Sequence, residues 1–341
     1  MNGIRILLIV LIVVVVVVAI MAVQNANDDS VSTPTPIFIS VPPAAENTPP
    51  VPVISTIPAG YLLAQPPLQY TEIANVGKGW IINDSEYYFG SSFRQDVTAI
   101  TMPGITYISD LNFDDNIFER LETFSAPDLV AISNFDFDNF DDGLFTTLSA
   151  PKLKYIYDEF QLYDFEANNL NVTLPVLETA NQIYFDNMEG FITFSAPVLK
   201  TITEQFYAYE CAGLTTLNVP MATYIHEIDV EDCNDLTTLD VSSVEIINRL
   251  YIQNCDALVT FSLPSLTGIT GDNSIYLEAA FDVATVDLLL SQLAALDGTN
   301  GTIILENQDI YLEGNNASPT SSGPGSSIAI LEARGNTVFY N

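Results

Sequence analysis

A pattern of apolar and polar positions recurs along this chain every 22 to 24 residues. In each copy, apolar residues stand six, three and one positions before a fixed proline or serine, and two and five positions after it. A repeat of this length buries its apolar residues only against neighbouring copies, so the pattern predicts a solenoid. The fixed residues, which we call anchor positions, are Pro103, Pro127, Pro151, Pro175, Pro197, Pro220, Ser242 and Pro264.

Each repeat contains two short runs in which apolar and polar residues alternate. One run ends at the anchor position, and the other lies upstream of it, as in residues 135–137, 183–185 and 228–230. Alternation with a period of two is typical of strands. The expected fold is therefore mainly β, with about eight coils whose strands stack in parallel about 4.8 Å apart.

The three cysteines support this register. Cys211, Cys233 and Cys255 are 22 residues apart, and each stands nine residues before its anchor position. Other repeats have phenylalanine or methionine at this position, so the column is expected to point into the core as reduced thiols. A disulfide between two neighbouring coils is the alternative, because stacked strands bring Cα atoms near the distance that a disulfide needs.

The repeat resembles a known group of proteins. Leu214-Thr-Thr-Leu-Asn-Val-Pro220 and its copies, over residues 87–281, resemble the leucine-rich repeats of BspA-like bacterial surface proteins. They are also similar to receptor L-domains and to repeats of fungal cell-wall proteins. The resemblance implies a right-handed solenoid that binds proteins or glycans and is not an enzyme. The chain departs from the common motif in two ways: proline stands near the usual asparagine, and the connecting segments show little helix signal.

The N-terminal part of the chain differs from the repeats. Residues 6–23 carry no charged or polar side chain, follow Arg5 and precede two aspartates. This pattern predicts a transmembrane signal-anchor helix, residues 1–23, that leaves the rest of the chain outside the membrane. A cleaved signal peptide is the alternative. Residues 24–72 are rich in Pro, Thr and Ser, which predicts an extended linker before a solenoid of residues 73–281.

The C-terminal residues 282–341 break the repeat and are expected to form a small α/β cap. Asp282 is placed to cap a helix that begins at Val283 and ends at Asp297-Gly298. Residues 301–305 and 337–340 read as strands, and residues 328–333 as a short helix. This segment resembles C-terminal caps of bacterial surface proteins and of viral structural proteins. At the other end of the solenoid, residues 80–82 and 87–89 are expected to form an N-terminal cap.

The charge of the chain limits its partners. A net charge of −34 with nine basic residues argues against nucleic acid and anionic lipid headgroups, which need clustered lysine or arginine. No cofactor is expected. An irregular Ca²⁺ site is compatible with the many carboxylates, although no calcium-binding motif is present. The single histidine, His226, has no sequence neighbours that suggest a catalytic triad, so the chain is not expected to be an enzyme.

Two sets of outward positions are candidate working surfaces. Threonine and serine dominate the run before each anchor position, while tyrosine and carboxylates dominate the upstream run. Tyrosine is favoured at interfaces, so the second set is the preferred binding surface. Its candidate binding residues are Asp136, Asp138, Tyr184, Asp186, Tyr207, Tyr209, Asp229, Glu231, Tyr251 and Tyr276.

The expected function is adhesion or recognition of a protein or glycan ligand by a membrane-anchored solenoid displayed outside the cell. A virion structural or host-recognition protein is the first alternative, since it would use the same surfaces. A glycan-degrading enzyme that uses paired carboxylates is the second. An ice-binding solenoid that uses the threonine rows is the third.

Overall fold

The computed structural model describes residues 80–83, 86–89, 98–113, 121–271 and 275–341. These residues form a mainly β structure, a β-solenoid of about seven coils with few helices. Every anchor position lies in a turn. The predicted signal-anchor helix of residues 1–23 and the predicted linker of residues 24–72 lie outside the described residues. Neither of the two helices in the described part of the chain has the length and apolar character that crossing a bilayer requires.

Most strands belong to one continuous ladder, which we call the long ladder. It begins with an antiparallel hairpin and continues as parallel pairs to the C-terminus. Its strands are β1 (Trp80–Asn83), β2 (Glu86–Phe89), β4 (Tyr107–Phe113), β6 (Ala131–Phe145), β8 (Tyr155–Thr173), β9 (Thr179–Ser195), β10 (Thr201–Tyr209), β12 (Tyr224–Glu231), β14 (Ile246–Cys255), β15 (Gly268–Ile269), β16 (Ile275–Ala279), β17 (Asp309–Leu312) and β18 (Thr337–Tyr340).

The runs that precede the anchor positions stack in a second set of short strands, which we call the short ladder. Its separate strands are β3 (Ala99–Thr101), β5 (Thr123–Ser125), β7 (Thr147–Ser149), β11 (Thr216–Asn218) and β13 (Thr238–Asp240). The short ladder is interrupted between β7 and the end of β8. The last residues of β8 and β9 take the same place in their own coils, so that residues 193–195 of β9 pair with β11. The predicted parallel stacking of two strand runs per coil is therefore confirmed for most coils, whereas residues 260–262 form no strand.

The core lies between the two ladders. The apolar positions of the repeat, such as Leu129, Ile132 and Leu217, are fully buried. Earlier coils fill the interior with phenylalanine: the rings of Phe135 and Phe160 stack with centroids 4.8 Å apart. Later coils use smaller residues, including the three cysteines, which are buried as free thiols. The prediction that the cysteine column points inward is confirmed.

One corner of the coil has a repeated backbone conformation. The residue directly before the cysteine column has a positive φ, between 48° and 53°, in five coils. Positive φ is unfavourable for residues with a Cβ, and asparagine and aspartate tolerate it best. Side chains at this corner also bond from coil to coil, as Asn254 does to Asp232 at 2.9 Å. The five residues are Asp164, Asn187, Glu210, Asp232 and Asn254.

The C-terminal segment extends the long ladder and covers its end. Helix α1 (Val283–Ala294) begins as predicted, because the side chain of Asp282 accepts a hydrogen bond from the backbone N–H of Thr285 at 2.7 Å. Helix α2 (Ser327–Glu332) and strand β18 also match the predicted elements. Asn316 is buried and accepts hydrogen bonds from the backbone N–H groups of Ala279 and Phe281.

The prediction of a strand over residues 301–305 was wrong. These residues have no strand pairing, although Ile303 N donates to Thr267 O and Leu305 N donates to Leu296 O. The position beside β16 is instead taken by β17, in which Ile310 and Tyr311 pair with β16. Residues 301–305 therefore provide apolar packing, while Asp309–Leu312 in the following segment provides the strand.

Candidate functional site

The ten predicted binding residues lie in two adjacent columns on the outer side of the long ladder. Outward and inward residues alternate there, as the buried Phe135 and Phe137 flank the outward Asp136. We call these outward columns the tyrosine–carboxylate face. The first column contains Asp136, Gln161, Tyr184, Tyr207, Asp229, Tyr251, Tyr276, Tyr311 and Phe339. The second contains Asp138, Tyr163, Asp186, Tyr209, Glu231, Gln253 and Glu278.

The aromatic rings of the first column stack on one another in two groups. Tyr184 and Tyr207 stack with ring centroids 4.4 Å apart and planes at 8°. In the second group, the rings of Tyr276 and Tyr311 are 4.4 Å apart and those of Tyr311 and Phe339 are 4.5 Å apart, both nearly parallel. Neighbouring rings cover each other's faces in such a stack. The column therefore presents mainly ring edges and hydroxyl groups to a ligand.

The tyrosine hydroxyls stay protonated on this face. Burial is the main reason why the pKa of Tyr207 rises to about 12, and the charge of Asp186 adds to the rise. The pKa of Tyr209 also rises to about 12, chiefly through its hydrogen bond with Glu210. Tyr184 donates its hydroxyl to the Asp186 carboxylate at 2.8 Å. The face is therefore a row of hydroxyl donors beside carboxylate acceptors.

Between the two groups of rings lies a cluster of charged side chains. The guanidinium of Arg249 donates to Asp229 Oδ2 at 2.6 Å, and its Nη1 lies 3.8 Å from Glu227 Oε2. The same guanidinium stacks over the ring of Tyr251, 5.0 Å from its centroid, in a cation–π contact. Asp229 was predicted to point outward, but it is only 3% exposed. Its carboxylate is covered by the partners that it holds.

The pKa values of the neighbouring carboxyls of Asp229 and Glu231 are both raised. Burial is the largest cause that raises the pKa of Glu231 to about 7, and the adjacent Asp229 raises it further. Burial also raises the pKa of Asp229, but Arg249 opposes that rise. At neutral pH Glu231 is therefore protonated in part, beside the carboxyl of Asp229. Because two such carboxylates cannot both ionise without repulsion, the pair titrates as a unit.

The two carboxyls differ in their access to solvent. Asp229 is buried and paired with Arg249, whereas Glu231 is partly exposed. Glu231 is therefore the member of the pair that a ligand can reach.

The remaining candidates are placed differently. His226 lies in β12, where Nδ1 is 3.1 Å from the hydroxyl of Tyr224 and Nε2 is 3.1 Å from the amide of Asn248. In the described part of the chain, no group of three or more His, Cys, Asp or Glu side chains is placed to hold a metal ion. The threonine column of the short ladder is interrupted by Asn171, which pairs with Thr193.

The sequence-based prediction of the binding residues omitted six members of the two columns and the neighbouring Arg249. The six are Gln161, Tyr163, Gln253, Glu278, Tyr311 and Phe339. Arg249 directly precedes the inward Leu250, so the alternation along β14 identifies it as outward. Gln161 pairs with Tyr184 and lies between the inward Phe160 and Leu162, so the alternation also identifies it as outward. Tyr311 and Phe339 lie beyond the last repeat, where the changed period hides their register. Only the structure shows that the cap continues the first column.

None of the protein-family models, curated proteins or solved structures compared with this chain matches it.

Proposed function

We propose that this chain is a membrane-anchored solenoid of the leucine-rich-repeat type, displayed outside the cell, that recognises a protein or glycan without catalysis. The observation that carries the proposal is the register of the tyrosine–carboxylate face, in which two outward columns run without a break over successive coils. Such a face offers a rigid row of hydroxyl and carboxylate groups over a length that fits an extended ligand. The eight repeats of the sequence and the predicted membrane segment, residues 6–23, complete the proposal.

The charges of this face favour ligands with basic groups. Its two columns contain six carboxylates, with Arg249 as the neighbouring cation. A face of this sign attracts lysine, arginine or amino sugars and repels sulfated or phosphorylated chains. The six carboxylates are Asp136, Asp138, Asp186, Asp229, Glu231 and Glu278.

Binding can be tested with the full-length chain in detergent micelles on arrays of neutral, amino-containing and sulfated glycans and of extracellular proteins. The variant Tyr209→Ala with Asp186→Asn removes two partly exposed groups of the face and is expected to abolish binding. Thr193→Ala on the short ladder is the matched control and is expected to bind normally. A ligand that binds the wild type and both variants equally would refute the assignment of this face.

The alternative of a carboxylate-dependent glycan-degrading enzyme has one observation in its favour, the pKa of Glu231 near neutrality. The same glycans can be incubated with the chain and analysed for shortened products by mass spectrometry. Product release that Glu231→Gln abolishes would replace the binding proposal with the enzymatic one. Binding without shortened products supports recognition.

A further inference from the structure

The short ladder opens at the outer edge of β13. In five preceding coils, the residue after the short strand donates its N–H to the next coil, as Val219 N does to Asp240 O at 2.9 Å. The coil of β7 is the exception among the described ones, because Ala150 N makes no such backbone bond. The repeat predicts the same bond from Val241 N to Ser262 O. The backbone bonds of residues 237–263, all of them described, do not include it, and β13 pairs only with β11. The outer N–H and C=O groups of β13 therefore lack the ladder partners of their counterparts one coil earlier.

The next coil is turned towards the C-terminal cap instead. Leu263 N donates to Gln292 Oε1 of helix α1 at 2.9 Å. Asp282 N donates to Val259 O, which also ties this segment to the start of α1. Residues 260–262 keep the Thr-Phe-Ser sequence of a short strand but are not one. The cap thus holds the last coil away from β13.

A cleft of about 450 Å³ lies at this opening. Its volume is in the range of small-ligand sites, about 300–1,000 Å³. Two carboxylates line it, Asp240 and Asp282, and the N–H of Thr285 lowers the pKa of Asp282, which keeps that group ionised. Leu288, which also lines the cleft, is 44% exposed. The cleft therefore combines an unpaired strand edge, negative charge and an exposed apolar side chain.

We propose that this cleft binds an extended peptide of a partner protein, which adds a short parallel or antiparallel strand to β13 and places a lysine or arginine beside Asp240 and Asp282. Strand addition suits an edge whose backbone groups lack partners, because main-chain hydrogen bonds supply affinity and side-chain pockets supply specificity. Apolar residues of the peptide contact Leu288, and the carboxylates select a basic residue. This site lies on the short ladder and is independent of the tyrosine–carboxylate face.

The structural premise can be tested by hydrogen exchange on the full-length chain in detergent micelles. The amide of Val241 is expected to exchange faster than that of Val219, a residue of the same type at the same position one coil earlier. A bound peptide is expected to slow exchange at Val241 and to leave Val219 unchanged. Equal protection of both amides in the free chain would refute the open edge.

The ligand class can be tested with a library of acetylated and amidated hexapeptides. The chain is expected to retain peptides that alternate apolar residues with lysine or arginine, and N-methylation of alternate peptide backbone groups is expected to abolish their binding. Asp240→Lys is expected to weaken binding about tenfold or more. Asn218→Lys, in the same column one coil earlier, is the control and is expected to bind normally.

A second pair of variants distinguishes a loss of peptide binding at the cleft from a loss of folding. Leu288→Ser changes an exposed side chain of the cleft and is expected to weaken peptide binding, whereas Ile330→Ser, 40% exposed on α2, is not. The proposal would be overturned if Asp240→Lys and Leu288→Ser retained the same peptides as the wild type. Failure to retain any peptide would also overturn it, as would oligosaccharides that bind at the cleft in their place.

Discussion

Tyr184 and Tyr207 lie on consecutive strands of the solenoid and stack with ring centroids 4.4 Å apart and ring planes at 8°. The contact joins two coils through their outer surface, while the apolar core joins them through the inside. Residues of the tyrosine–carboxylate face therefore have two roles, since they present groups to a ligand and also stabilise the stacking of coils. A substitution on this face is expected to change stability as well as binding.

Replacement of Tyr207 by leucine keeps an apolar side chain but removes the stacked ring. An aromatic pair contributes about 0.5–1.5 kcal/mol beyond the area that it buries. We expect Tyr207→Leu to lower the free energy of unfolding by about 1 kcal/mol in urea titrations, and Tyr207→Phe to lower it less. Tyr163→Leu, in the second column and 38% exposed, is the control. Equal losses at both positions would contradict a specific contribution from the stack.

The second prediction concerns the stability that the ion pair of Arg249 and Asp229 provides. Removing one member of a buried pair leaves an uncompensated charge, which costs about 3–5 kcal/mol. Arg249 is partly exposed, so we expect Arg249→Met to destabilise the chain by about 3 kcal/mol. The double variant Arg249→Met with Asp229→Asn is expected to recover part of this loss, because the amide carries no charge. Urea unfolding of the two single variants and the double variant measures the coupling.

Stability is expected to fall as the pH rises towards neutrality, in part through Glu231. Its pKa is raised from 4.5 to about 7 in the folded chain, so the folded state holds this proton more tightly than the unfolded state. The contribution is fully present below pH 4.5 and is lost as the pH rises through 7. The shift of the partner Asp229 is in the same direction.

The variant Glu231→Gln keeps an N–H donor towards Asp229 and removes the titration. We expect its midpoint of urea unfolding to depend less on pH than that of the wild type over the range between the two pKa values. Glu278→Gln, in the same column, retains Glu231 and is expected to keep the steeper dependence. If the unfolding midpoint of Glu231→Gln depends on pH as steeply as that of the wild type, the pH dependence does not come from Glu231.

The repeat made most of the fold predictable. The apolar columns are buried and most of the alternating runs are strands, because a coil has no other apolar surface against which to pack. The exposed fraction of Asp229 was not predictable, since alternation gives the side of the sheet and not the neighbours that cover a side chain. The opening beside β13 was not predictable either. Residues 260–262 have the sequence of a short strand, but the distant Gln292 holds the next residue, Leu263.

The corner before the cysteine column provides the last prediction. Glu210 occupies this corner with φ of 48°, where Asn187 and Asn254 stand in other coils. The left-handed region costs a residue with a Cβ about 1–2 kcal/mol, and asparagine less than most. We expect Glu210→Asn to raise the free energy of unfolding by about 0.5–1 kcal/mol, even though it removes the hydrogen bond of Glu210 with Tyr209. Glu204→Asn, in the same strand region without a positive φ, is the control for loss of negative charge. If both variants gain equally in urea unfolding, charge repulsion and not backbone conformation is the cause; a gain confined to Glu210→Asn assigns the strain to this corner.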